Sequence, residues 1–268
     1  MKRFFNTAGA NQADIHYTVW RTLGVKPVLN LIEQRKYFTH HAPRQSGKTT
    51  LLREICKKLN EDEKYLAIHI TVESAQAARH DVLAANKIIL ANLDDSLIDL
   101  NLSGSLPPAS GFTNDPAGVQ MCLREWARSS KKPIVLMIDE IDSMAGESLI
   151  ALLRQLRAGY DQRPHAFPQS IVLNGVRDLK DYRIYSSKED TWLTGGSCFN
   201  IKAASLRLGN FTLENVRDLF SQHEAERGQK LASGLVEKIY ELTQGQPWLC
   251  NALGEQMCFE LFPNEPVL

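Results

Sequence analysis

The chain has 268 residues and a mass of 30.2 kDa, and 43% of its residues are hydrophobic, enough for one large or two small domains with a sizeable core and too much for a disordered chain. Lys and Arg number 31 and Asp and Glu 31, so the formal charge is zero; this excludes a uniformly basic surface for nucleic acid and leaves room only for a local patch. The longest apolar run, 134–138, is far too short to span a bilayer, and the first residues lack the apolar stretch of a secretion signal, so no membrane partner and a cytoplasmic location are expected.

The elements follow in chain order. Residues 1–25, with Phe4, Phe5, Tyr17 and Trp20 among polar neighbours, read as an N-terminal segment laid against the body. A short strand is expected at 37–41, where adjacent His40 and His41 suit opposite strand faces better than one metal. A helix at 49–59 puts Leu51, Leu52, Ile55 and Leu59 on one face. Alternation over 66–72 predicts a half-buried strand, in which His69 is a packed histidine. A helix at 81–100 leads into a Gly, Pro and Ser-rich loop at 103–116, and Asp115-Pro116 is expected to start the next helix. The run 134–138 predicts a strand buried on both faces, as in a parallel sheet. Then come a helix at 147–158, a strand at 171–173, a loop around Gly195-Gly196 and a further strand at 205–208. After residue 209 only helices are expected: one capped by Thr212 with Phe211 and Val216 as a hydrophobic staple, then 234–243 and 247–261. The chain thus reads as α/β, with a segment 1–25, a core 26–208 built on a central parallel sheet, and a small helical lid 209–268. Cys56, Cys122, Cys198, Cys250 and Cys258 form no C-x-x-C pair and read as reduced structural thiols.

The chemistry concentrates in two places. Ala42-Pro43-Arg44-Gln45-Ser46-Gly47-Lys48-Thr49 follows a predicted strand and opens a predicted helix, in the phosphate-loop pattern G-x-x-x-x-G-K-[ST] with Ala42 for the first glycine. Backbone N–H groups of such a loop point at phosphate oxygens, the Lys48 ammonium meets their charge, and the Thr49 hydroxyl can join a Mg²⁺ shell. Pro43, Arg44, Gln45, Ser46, Gly47, Lys48, Thr49 and Thr50 are the expected phosphate contacts. Second, the buried strand 134–138 runs into Asp139-Glu140. A carboxylate there can hold Mg²⁺ through water, which is assigned to Asp139, and the next acid, Glu140, can orient the attacking water. Standing alone, Asp139-Glu140-Ile141-Asp142 is equally a polar strand end starting a helix; the phosphate loop upstream decides for the nucleotide.

Together APRQSGKTT, IVLMIDEID, LLRQLRAGYDQR, SIVLNGVRD and LTQGQPWLCNAL resemble bacterial AAA-like ATP-binding proteins of the STAND and AAA+ group of additional-strand P-loop ATPases, over roughly residues 4–260. The resemblance implies a five-stranded parallel sheet with the phosphate-loop strand central and a helical lid after it. It implies ATP or ADP and Mg²⁺ as cofactors, with ATP rather than GTP. It implies a polar sensor at Asn174, whose other reading is a turn at Asn174-Gly175, and a lid contact to nucleotide through Gln246 and Pro247 in Gly245-Gln246-Pro247, which also reads as a helix cap followed by Pro. Arg177, or the Arg154/Arg157 pair, or Arg163, would supply charge to the transition state or else serve packing and surface roles. His16 and Tyr17 lie near the adenine or anchor the segment. The function implied is a nucleotide-driven switch that hydrolyses ATP, slowly without its partner, with a protein effector or self-association. Alternatives are an oligomeric motor or loader on nucleic acid, a module that binds nucleotide without hydrolysis, and a small-molecule kinase, which the placement of the lid after the core disfavours. No effector segment is legible, so a truncated chain or an effector on another chain is expected; 191–201 reads as a structured insertion without assigned chemistry.

Overall fold

The computed structural model describes residues 2–102, 104–186 and 189–268; Met1 and Ser103, which open the expected N-terminal segment and the expected 103–116 loop, lie outside it. The chain divides into two compact units, one of Pro27–Ala42 and Leu52–Arg207, the other of Met1–Lys26, Pro43–Leu51 and Leu208–Leu268. The helices and strands are α1 (Thr22–Glu33), β1 (Tyr37–His41), α2 (Lys48–Glu61), β2 (Leu66–Thr71), α3 (Val82–Asp99), α4 (Gly118–Ser129), β3 (Ile134–Asp139), α5 (Gly146–Ala158), β4 (Ser170–Gly175), β5 (Arg183–Ser186), β6 (Thr191–Thr194), α6 (Gly195–Cys198), β7 (Lys202–Arg207), α7 (Leu213–Arg227), α8 (Leu235–Thr243) and α9 (Pro247–Glu255).

In the first unit the strands form a five-stranded parallel sheet in the order β2-β3-β4-β1-β7. The α/β class and the five parallel strands are as expected. The position of the phosphate-loop strand is not: β1 lies between β4 and β7, and the middle strand is β4. Every residue of β3 and β4 is buried, which is why 134–138 reads as an unbroken apolar run rather than an alternating one. Ile68, Leu136, Ile138, Ile171 and Leu173 of the sheet pack with Leu90 and Leu93 of α3, Trp126 of α4 and Leu153 of α5 in one core. At the free edge of β2, the Asn60 side chain accepts from Ala67 N at 2.9 Å and donates to Ala67 O at 2.9 Å, satisfying a backbone pair that a partner strand would otherwise take.

Three elements depart from the sequence reading. The sequence pattern predicts no helix at α1, because Pro27 interrupts it; Val28 and Ile32, one turn apart and fully buried, hold the helix despite the missing N–H. Asp115 does not begin α4: its carboxylate accepts from Ala117 N at 2.7 Å and closes a turn, and the helix starts at Gly118, where a Cβ would meet Phe112 O at 2.2 Å. The region around Gly195-Gly196 is not a loop. Strands β5 and β6 form an antiparallel pair with Tyr185 opposite Trp192, and Gly195 opens α6 against Leu179 O, which a Cβ would meet at 2.3 Å.

Asp178, past the end of β4, accepts from Lys202 Nζ of β7 at 2.5 Å, and both side chains are largely buried. Burial alone would raise the Asp178 carboxyl, but Lys202 and hydrogen bonds from Ser205 and Lys180 N outweigh it and hold the group at about 2. A depressed folded pKa contributes stability above the ordinary carboxylate range that is lost as pH falls toward 2. Asp178→Asn is therefore expected to lower stability at pH 7 by about 2 kcal/mol and to lose most of that deficit at pH 2. Denaturant unfolding at the two pH values reads this, and an equal deficit at both would contradict it.

The second unit is helical. Thr212 Oγ1 accepts from Asn215 N at 3.2 Å while Asn215 Oδ1 accepts from Thr212 N at 3.1 Å, a reciprocal cap for α7. Its core joins Phe211, Val216, Leu219 and Phe220 to Ile239 of α8, Cys250 of α9 and, from the N-terminal segment, Phe5 and Tyr17. All five cysteines are buried and free.

Candidate functional site

The phosphate loop is in the helical unit, with the N-terminal segment and residues 208–268. Gln45 has φ +58° and Gly47 φ +81°, and α2 begins at Lys48, so the loop turns through left-handed backbone directly into a helix N-terminus. Ser46 Oγ donates to Pro43 O at 2.8 Å and Lys48 Nζ donates to the same carbonyl at 3.0 Å, with Ser46 and Lys48 buried. Pro43, Arg44 and Gln45 are exposed, Thr49 and Thr50 half-buried, and Thr50 Oγ1 accepts from Asn11 N at 3.1 Å.

Arg21 carries no sequence signal. Its Nη1 donates to Ser46 O at 2.6 Å, its Nη2 to Gly209 O, and its guanidinium lies 5.1 Å from the Phe211 ring centre. Burial brings it down to about 10, so it stays charged at neutral pH. One cation thus ties the phosphate loop to the start of the helical segment. From the other end of that segment Gln246 caps α9, accepting from Leu249 N at 2.6 Å, while its Nε2 donates to Gln45 O at 3.4 Å. Pro247 is the first residue of α9, and Gly245, at φ +68°, leaves no room for a side chain, because a Cβ would meet Phe211 O at 2.0 Å. Both the cap-and-Pro reading of 245–247 and a contact with the phosphate loop are present. His16 and Tyr17 are anchors: Tyr17 packs among Phe5 and His223, its hydroxyl 3.3 Å from His223 Nδ1, and His16 Nδ1 accepts from Gln12 N at 3.0 Å.

The carboxylates belong to the sheet unit. Asp139 ends β3 and is 1% exposed. Its Oδ1 accepts from Glu140 N at 2.8 Å and from Asn174 Nδ2, and its Oδ2 lies 3.5 Å from His69 Nε2. Glu140, half-buried, has left-handed backbone at φ 57° and ψ 39°, a conformation that turns the chain sharply out of the strand. Asn174 is fully buried inside β4 and Gly175 is its last residue, so this dipeptide is strand and not a turn. Asn174 Oδ1 is 2.8 Å from His40 Nδ1. Asp142 Oδ1 accepts from Val176 N at 3.0 Å and fixes the exit from β4.

Among the arginines, Arg177 is exposed just beyond β4, Arg157 is exposed on α5, and Arg154 pairs with Glu189 at 2.8 Å. Arg163 is committed to packing: it donates to Tyr160 O at 2.5 Å and lies over the Tyr160 and Tyr37 rings.

Residues 38–173 match the ATPase family associated with various cellular activities (AAA), which is half the chain and runs from β1 to within two residues of the end of β4. The chain belongs to the AAA ATPase family. Solved structures share the fold at low identity. A Walker-type ATPase of Pyrococcus abyssi superposes with a TM-score of 0.64 at 16% identity, over 97% of this chain and 73% of that one. The ORC2 protein of Aeropyrum pernix, in ADPNP and ADP complexes, gives 0.55 at 14% identity over 92% and 63%, and the ORC1 protein of the same organism, in complex with DNA, gives 0.53 at 14% over 88% and 58%. The AAA chain thus spans about three-fifths of the length of the two ORC proteins. No curated protein sequence matches it. Among the described residues no helix is long and apolar enough to cross a membrane.

Proposed function

We propose that the chain binds Mg-ATP, hydrolyses it slowly, and uses the difference between ATP and ADP as a STAND-type conformational switch of bacterial, cytoplasmic kind. The observation that carries this is the parallel order β3-β4-β1: the strand leading into the phosphate loop ends beside Asn174 of β4, and β4 in turn lies beside β3, which ends at Asp139. A loop of left-handed Gln45 and Gly47 entering α2 suits phosphate oxygens, with Lys48 as counter-charge and Pro43 to Thr50 as the contact surface. Thr49, in the helical unit, and Asp139, in the sheet unit, each offer a hard oxygen donor of the kind Mg²⁺ takes. Donors of this kind suit an ion that keeps most of its water and phosphate ligands. Bound there, Mg²⁺ would neutralise charge on the β- and γ-phosphates. Glu140 takes the role of water-orienting base, Asn174 that of γ-phosphate sensor and Arg177 that of charge donor.

Segment 209–268 acts as the lid. Arg21 and Gln246 join it to the backbone of Ser46 and Gln45, so a loop that moves with its phosphate would move the lid. The switch acts on a protein effector or a second copy. A motor on nucleic acid remains the alternative, because one structural neighbour is an ORC1 protein in complex with DNA. Hydrogen exchange with Mg-ADP against a non-hydrolysable Mg-ATP analogue tests the switch. The expected result is added protection in 43–51 and 208–268 with the triphosphate, and identical exchange in both states would sink the switch.

A further inference from the structure

Four polar side chains stand in a row across four neighbouring strands: His40 on β1, Asn174 on β4, Asp139 on β3 and His69 on β2. Asn174 is fully buried, and His40 and Asp139 are 2% and 1% exposed. In such a place the direction of each hydrogen bond is set by what its neighbours can accept. A carboxylate only accepts, so the Asn174 group facing Asp139 must be the Nδ2 donor; the flipped amide would set Oδ1 against Oδ1. That leaves Asn174 Oδ1 facing His40 Nδ1 at 2.8 Å, and an oxygen there needs a proton from the imidazole. The backbone register His40↔Asn174 between β1 and β4 puts the two side chains level.

We propose that His40 is a positioning residue, held as the Nδ1–H tautomer, which fixes the Asn174 amide and through it the Asp139 carboxylate. A free amide could turn by half a rotation and present oxygen to the carboxylate, or to a phosphate, instead of N–H. His40 removes that second state before any ligand arrives. The consequence for turnover rests on the proposed ATPase reading, whereas the tautomer and amide orientation stand apart from it.

The experiment therefore has a ligand-free arm. Ring ¹⁵N shifts of His40 in the wild-type protein are expected to report a protonated Nδ1 and an unprotonated Nε2, with the Asn174 Nδ2H₂ signals slow to exchange. A protonated Nε2 with a bare Nδ1 would overturn the proposal without any variant. In the second arm His40→Phe keeps an aromatic ring but no donor. It is expected to lower kcat for phosphate release from Mg-ATP by about 10-fold or more, in the range seen for residues that orient others, with the Kd for Mg-ATP changed by less than about threefold. His40→Gln, which can donate through its amide, is expected to recover much of the loss. In an Asn174→Ala background His40→Phe should cost nothing further. Equal losses in both backgrounds, or a Gln variant as impaired as the Phe variant, would show a merely structural histidine. A wild-type protein that releases no phosphate would defeat the ATPase reading and leave the ring-nitrogen shifts to decide the His40 assignment.

Discussion

Glu140→Gln is expected to lower phosphate release from Mg-ATP by a factor of about 10² to 10⁴, about 3–5 kcal/mol of barrier, while Mg-ATP binds as before. Gln matches Glu in size and keeps the left-handed backbone that lifts residue 140 out of β3, so the change removes a proton acceptor and leaves the shape. The backbone link Glu140 N to Asp139 Oδ1 is untouched, so the neighbouring carboxylate keeps its orientation. The phosphate loop, which would supply most of the binding, lies elsewhere in the chain. Phosphate-release kinetics beside a binding titration read the two quantities separately. A Gln variant turning over at the wild-type rate would remove Glu140 from the mechanism.

The second large effect concerns stability. Phe5 is 1% exposed, with rings of Tyr17, Phe220, His223 and Phe259 within 4.9–6.1 Å, and a Cβ on Gly254 would touch its ring at 2.6 Å. Phe5→Ala empties the point where the N-terminal segment meets α7 and the chain after α9. The expected cost is about 3–5 kcal/mol, transfer plus cavity. The loss should be local to the helical unit: hydrogen exchange should quicken in 1–26 and 208–268, while β3 and β4, whose core is separate, keep their protection. Equal quickening in β3 would contradict that division.

What was legible in the sequence followed from strong local constraints. The five-residue run 134–138, entered after Pro133 and ending in two acids, marks a strand buried on both faces, and Thr212 with Phe211 and Val216 marks a helix start from residue types alone. The loop 42–49 was legible because few sequences combine Gly, Lys and Thr between a strand and a helix. What was not legible depends on distant partners. Pro27 hid α1 because the burial that compensates it comes from the tertiary core. The β5–β6 pair is short, and its Gly195-Gly196 exit carries loop residues for a packing reason, the close approach of Leu179 O. The place of β1 beside β7 reflects strand order, which periodicity does not encode. Arg21 meets Ser46 O and Gly209 O, and His40 meets the Asn174 amide, partners brought near by folding rather than by spacing.

We propose that this AAA chain turns over ATP at the 42–49 loop. The direct measurement is steady-state phosphate release from Mg-ATP by the purified wild-type chain beside Lys48→Ala, whose ammonium now rests on Pro43 O within that loop. Slow but saturable release is expected from wild type and none above background from Lys48→Ala. Release from wild type that matches Lys48→Ala, with nucleotide bound by both, would contradict it.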